Sequence, residues 1–246
     1  MQPDEQKFVP TAAPKPIRRC LACGDRLPPR HRRYCSMACP QHLLASLNRR
    51  TGLLQALSAR YATFYFTDYV IMMDILLYGS EQIHSYILPR SWRSKPVEDF
   101  RILSNILGNL WWDEKDRTKK RYLASRQVLQ QAYKNKTTVD AVMPHRHKVP
   151  SIKTSSLIQL ELDAHDLTQA DLELKIKSAY RRQALKHHPD QGGSGETFLK
   201  IQDAYEKLIQ WAKQPTFIHQ SGFPDKWFYE GARNRWLKPI VPRKKP

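Results

Sequence analysis

His187-His188-Pro189-Asp190, followed by Gln191-Gly192-Gly193-Ser194-Gly195, is the stretch on which the fold turns. Proline lacks the N–H and the φ freedom that a helix interior needs, and the glycines accept turn conformations, so the stretch stops one helix before another begins. Upstream, Leu172, Ile176, Ala179, Tyr180, Ala184 and His187 recur at helical spacing, with Lys175, Lys177, Arg181, Arg182 and Lys186 in the polar positions between them. Thr168 and Asp171 have the S/T-x-x-D/E spacing of a helix start, which predicts a basic helix over about 169–187. Downstream, Phe198, Ile201, Ala204, Tyr205 and Leu208 mark a second apolar stripe that ends before Pro215. Two antiparallel helices joined by a short polar loop is the economical reading.

These residues closely resemble the J domain of DnaJ-like co-chaperones. That family's pattern is a basic helix ending in Ala-Tyr-(basic)2-x-Ala-x-x-x-His-Pro-Asp, a loop, then Phe-x-x-Ile-x-x-Ala-Tyr-x-x-Leu. Here it reads Ala179-Tyr180-Arg181-Arg182-Gln183-Ala184-Leu185-Lys186-His187-His188-Pro189-Asp190, then Phe198-Leu199-Lys200-Ile201-Gln202-Asp203-Ala204-Tyr205-Glu206-Lys207-Leu208. The resemblance implies a partner, an ATP-hydrolysing heat-shock chaperone of the DnaK class, on which His188, Pro189 and Asp190 dock near the interdomain linker. It also assigns Lys177, Tyr180, Arg181 and Arg182 to the docking face, where the cations meet an acidic surface. The ATP chemistry then belongs to the partner, and this chain is expected to act as an allosteric activator rather than an enzyme. Gln183 departs from the pattern at a position commonly held by leucine, and no fourth helix is evident after Trp211. A first short helix is expected over 155–162, with Leu157, Ile158, Leu160 and Leu162 on its apolar side.

All four cysteines fall in Cys20-x2-Cys23-x11-Cys35-x3-Cys39. Two close pairs separated by about a dozen residues is the spacing of a four-thiolate zinc site, and Gly24 allows the tight knuckle turn. The arrangement resembles a zinc ribbon or treble-clef finger, with a structural rather than catalytic ion, because four thiolates leave no open position. Disulfides are the competing account, but they belong to oxidising compartments, and the polar segment 1–16 shows no secretory signal; a cytoplasmic location is the matching expectation. His31, between the pairs, reads as an exposed member of the basic run Arg30-His31-Arg32-Arg33 rather than as a ligand.

The formal charge of +18, from 41 Lys+Arg against 23 Asp+Glu, points to an acidic partner surface. Nucleic acid is one such partner, although the basic helix, the arginines around the cysteines and Arg243-Lys244-Lys245 account for part of the charge without it. Between the modules, Leu53, Leu54, Leu57, Tyr61, Phe64 and Tyr65 suggest a core-facing helical stripe. The run 69–78 is apolar on nearly all sides, too short and too interrupted by Asp74 to cross a bilayer, and reads as a buried helix. Val97 to Trp111 and Tyr122 to Tyr133 supply two more amphipathic stripes. Beyond Pro215, Phe217, Phe223, Trp227, Phe228, Tyr229 and Trp236 alternate with cations. They can stack on bases or pack back onto the J domain, and packing is the preferred reading.

The expected fold class is therefore mainly α: a zinc knuckle, a central helical domain and a C-terminal helical hairpin. The expected divisions are a flexible terminus at 1–16, the zinc module at 17–45, the helical domain at 46–135, a linker at 136–150, the J domain at 151–214 and an aromatic, basic tail at 215–246. The expected function is recruitment and stimulation of a DnaK-class chaperone, with the other parts addressing it to a client protein. The alternative is an adaptor that brings that chaperone to a nucleoprotein complex.

Overall fold

A computed structural model describes residues 18–28, 33–134, 139–163 and 166–241. After the knuckle come α1 (Ala38–Asn48) and α2 (Gly52–Ala56), then three strands in succession, β1 (Ala59–Phe66), β2 (Val70–Leu77) and β3 (Ile83–Pro89). Helices α3 (Pro96–Thr118) and α4 (Arg121–Gln130) and the short strand β4 (Tyr133–Lys134) follow. Strand β5 (His145–Pro150) leads into α5 (Thr154–Gln159), α6 (Leu172–Lys186) and α7 (Gly195–Lys213), and the chain returns through β6 (Phe217–Gly222), β7 (Trp227–Glu230) and β8 (Arg235–Leu237).

The main sheet is antiparallel in the order β4-β3-β2-β1-β7-β8, so its last two strands come from the far end of the chain. Strands β5 and β6 form a separate ribbon with Pro150 opposite Phe217 and His145 opposite Gly222. The helical hairpin is thus inserted into the sheet domain and held by both of its ends. It carries its own core of Leu157, Leu160, Ile176, Ala179, Ile201, Ala204, Leu208 and Trp211.

The mainly helical expectation for the centre is corrected here. The stripe at 59–66 and the apolar run at 70–77 are strands, because β2 lies inside the sheet and meets apolar neighbours on both faces. A short run of that kind looks the same as a buried helix by periodicity alone. Ile71, Met73 and Ile75 face α3 with Phe64, whose ring stands 5.0 Å from that of Phe100. On the other face Asp74 lies opposite Thr63 and Ser85, and it accepts hydrogen bonds from Ser85 Oγ at 2.6 Å and Thr63 Oγ1 at 3.5 Å. The helices expected from Val97 and from Tyr122 are α3 and α4.

Two further readings change. Residues 145–150, linker-like in composition, form β5. The tail aromatics do pack, but chiefly into the sheet: Trp227, Phe228, Tyr229 and Trp236 are each 1% exposed. Strand alternation sends Trp227, Tyr229 and Trp236 to the helix-covered core and Phe228 to the other face beside Tyr61. Phe217 packs against the hairpin, 5.7 Å from Trp211.

Candidate functional site

The loop between α6 and α7 is a single 3-10 turn over Pro189–Gln191. His188 caps it, its Nδ1 accepting the Asp190 backbone N–H at 3.2 Å. An accepting Nδ1 leaves the ring proton on Nε2, which is free to donate outward. The ring meets Phe198 edge-on at 5.5 Å, so the first residue of the second stripe supports the loop histidine. Gln191 N donates to His188 O, Gly192 N to Pro189 O and Gly193 N to His188 O, all at 3.0 Å.

Two glycines make this turn feasible. Gly192 has φ +79°, and a Cβ on Gly193 would lie 2.2 Å from the His187 carbonyl oxygen. In the sequence both are legible only as loop composition; a left-handed helix exit placed just after a proline turn is the signal that locates them. The result is a rigid projection, with the His188 side chain 44% and that of Asp190 86% exposed.

Lys177, Arg181 and Arg182 are exposed along α6, and among the described residues neither arginine has a salt-bridge partner. Lys177 stands 4.0 Å from Glu173 in an i,i+4 pair of small energetic weight. Tyr180 differs from these: it is half-buried and stacks on Tyr205 of α7 with ring centroids 4.3 Å apart, so it couples the two helices. Gln183 is 3% exposed on the stripe of Ile176 and Ala179. The turn, the cations and the hairpin core therefore come together on one module.

The second cluster is metallic in its chemistry. The Sγ atoms of Cys20, Cys23, Cys35 and Cys39 all lie within 4.8 Å of one another, with Cys20–Cys39 at 3.8 Å and Cys23–Cys35 at 3.5 Å. A tetrahedron with Zn–S bonds of about 2.3 Å has S–S edges of about 3.8 Å, so the donor set fits zinc. The separations are far from the roughly 2.05 Å of a disulfide bond. Burial opposes a charge on Cys20, but N–H groups of Cys23, Ala22 and Cys35 outweigh it and lower its pKa. Burial pushes the Cys23 and Cys39 thiols up, Cys39 to about 12. Thiolates packed this closely need a cation among them, and a dication supplies that charge.

The knuckle is built into the sheet domain. Cys20, Ala22, Cys23 and Leu27 belong to the main core, Trp227 Nε1 donates to Leu21 O at 2.8 Å, and Arg33 donates to Ile240 O at 2.8 Å and to Pro224 O. These anchors were not legible beforehand, since each spans almost the whole chain. His31 lies outside the described residues. No helix among the described residues is long and apolar enough to cross a membrane.

Comparison with known proteins agrees with the hairpin geometry. The family model of the DnaJ domain matches residues 165–216. Chaperone protein DnaJ 1 of Cutibacterium acnes is 51% identical over 45 residues, which are 18% of this chain and 12% of that protein. The similarity is thus confined to a small part of each chain. No solved structure matches.

Proposed function

We propose that this protein is a J-domain co-chaperone that recruits a DnaK-class chaperone and stimulates its ATP hydrolysis. The observation that carries the reading is the rigid, exposed His188-Pro189-Asp190 turn at the end of an arginine-bearing helix. Asp190, when ionised, accepts a bidentate hydrogen bond from an arginine fork, and Pro189 holds the turn's φ while it does so. Lys177, Arg181 and Arg182 steer the helix onto an acidic surface, which sets register and on-rate. Tyr180 acts from within by holding α6 against α7. The coupling is allosteric: docking shifts the partner between its ATP-bound and ADP-bound states, and the chain itself performs no catalysis.

The knuckle holds a structural zinc ion through Cys20, Cys23, Cys35 and Cys39, and the ion cross-links the N-terminal segment to the sheet. Zinc thiolates suit a reducing, cytoplasmic setting. The sheet domain addresses the hairpin to its client. Association with the ATP-bound chaperone tests the proposal: Arg181→Glu with Arg182→Glu weakens binding about tenfold or more and flattens its salt dependence, with helical content unchanged. Equal binding by the charge-reversed protein contradicts the assigned face.

A further inference from the structure

We propose that the end of the sheet where the knuckle, the β1–β2 turn and the segment after β3 meet is a docking surface for single-stranded nucleic acid. The inference is independent of the hairpin, which contributes none of these residues.

The three segments are locked together. Arg19 pairs with Asp68 at 2.9 Å, Arg90 N donates to Tyr69 O at 2.7 Å, and Arg90 Nη1 donates to Thr67 O at 3.0 Å. A Cβ on Gly24 of the knuckle would stand 3.4 Å from both the Arg90 guanidinium and the Phe66 ring. From this end rise Trp92, 90% exposed, and Tyr69, 82% exposed, the two most exposed large apolar side chains among the described residues. Isolated exposed aromatics are ordinary, but two on one pinned platform are a recognised form of binding anchor.

The platform is rigid before any ligand arrives. Asp99, whose side chain is fully buried, pairs with Arg90 Nε at 3.1 Å and accepts from Ser94 Oγ at 2.6 Å; Arg90 Nη2 donates to Ser94 O at 2.7 Å. Ser94 N closes the turn onto Ser91 O at 3.0 Å, and Arg93 within it has φ +59°, an uncommon conformation for a side-chain-bearing residue. Trp92 is therefore presented on a turn whose ordering cost is already met.

The charge around it selects the partner. Arg18, Arg26, Arg93 and Lys95 are exposed, and among the described residues none has a salt-bridge partner. Asp25 is exposed beside them, whereas Asp68 is neutralised by Arg19. Flat rings beside unpaired cations match unstacked bases on a phosphate chain, each base stacking on a ring while its phosphates meet the arginines. A duplex hides its base faces, and an acidic peptide leaves both rings unmatched. The C-terminal aromatics cannot serve this purpose, being buried in β7 and β8.

The test is anisotropy of a short labelled single-stranded oligonucleotide of mixed sequence with the full chain, over a salt series. Binding is expected to weaken steeply with salt; Trp92→Ala and Tyr69→Ala each weaken it about tenfold. Arg26→Ala reduces the salt slope by about one unit. Trp112→Ala, an exposed site on α3, leaves binding unchanged. The proposal is overturned if the intact protein shows no salt-dependent binding, if Trp92→Ala binds as tightly as wild type, or if duplex or polyglutamate competes as well as the single strand.

Discussion

The hairpin core is assembled from residues between Leu157 and Trp211, α5 and α6 both packing on α7, whereas the sheet core joins Cys20 and Leu43 to Trp227 and Trp236. The contrast is one of loop-closure entropy. Local contacts need little chain to be ordered first; contacts such as Trp227 to Leu21 or Trp236 N to Asn48 require most of the chain to close. The β5–β6 ribbon reduces that cost by pairing Pro150 with Phe217, so that the inserted hairpin bridges a short gap. The four-cysteine cluster does the same at the other end by tying Cys20 to α1 through Cys39. A hairpin folded largely by local contacts is thus carried on a platform closed by a four-cysteine cluster and a returning strand.

The contrast is broken most severely at the staple. Cys20→Ser, or chelation of the intact protein, should remove zinc and destabilise the sheet domain by more than about 4 kcal/mol, since the knuckle is part of its core. Hydrogen exchange should show β1, β2 and β7 losing protection while α6 and α7 keep theirs; loss confined to the knuckle would refute the shared core.

The returning strand supplies a smaller effect with an internal control. Trp227→Phe leaves the Leu21 carbonyl without its donor and opens a void, for an expected cost of about 3 kcal/mol. Trp236 is equally buried, but its Nε1 has no hydrogen-bond partner among the described residues, so Trp236→Phe should cost about half as much. Denaturant midpoints at unchanged slope measure both, and equal losses would contradict the role given to the Leu21 bond.

Excising residues 151–216 and bridging Pro150 to Phe217 with a short turn should change least. The sheet domain should retain zinc and shift by less than about 2 kcal/mol, while stimulation of the partner disappears. Failure of that shortened chain to fold would mean that the hairpin is a structural part of the platform.

The same contrast explains what the sequence could reveal. The His188-Pro189-Asp190 turn is legible in the sequence because its determinants, from Leu172 to Leu208, act on one another within two helices. The four-cysteine cluster is legible from spacing, although the anchors of its segment on Ile240 and Trp227 are not. Strand β2 resembles a buried helix in the sequence because its apolar residues serve two faces, and because Asp74, which interrupts the run, is satisfied by Ser85 and Thr63 on the neighbouring strands. The C-terminal aromatics alternate as strands do, but only pairing with β1 discloses where they belong.

Single-turnover ATP hydrolysis by a DnaK-class chaperone is the most direct measurement of the functional account. The intact protein should accelerate hydrolysis about tenfold or more, and His188→Gln, which removes the imidazole from an exposed turn without touching the hairpin core, should return it to the basal rate at unchanged helical content. Stimulation by His188→Gln equal to that of the intact protein would contradict the account.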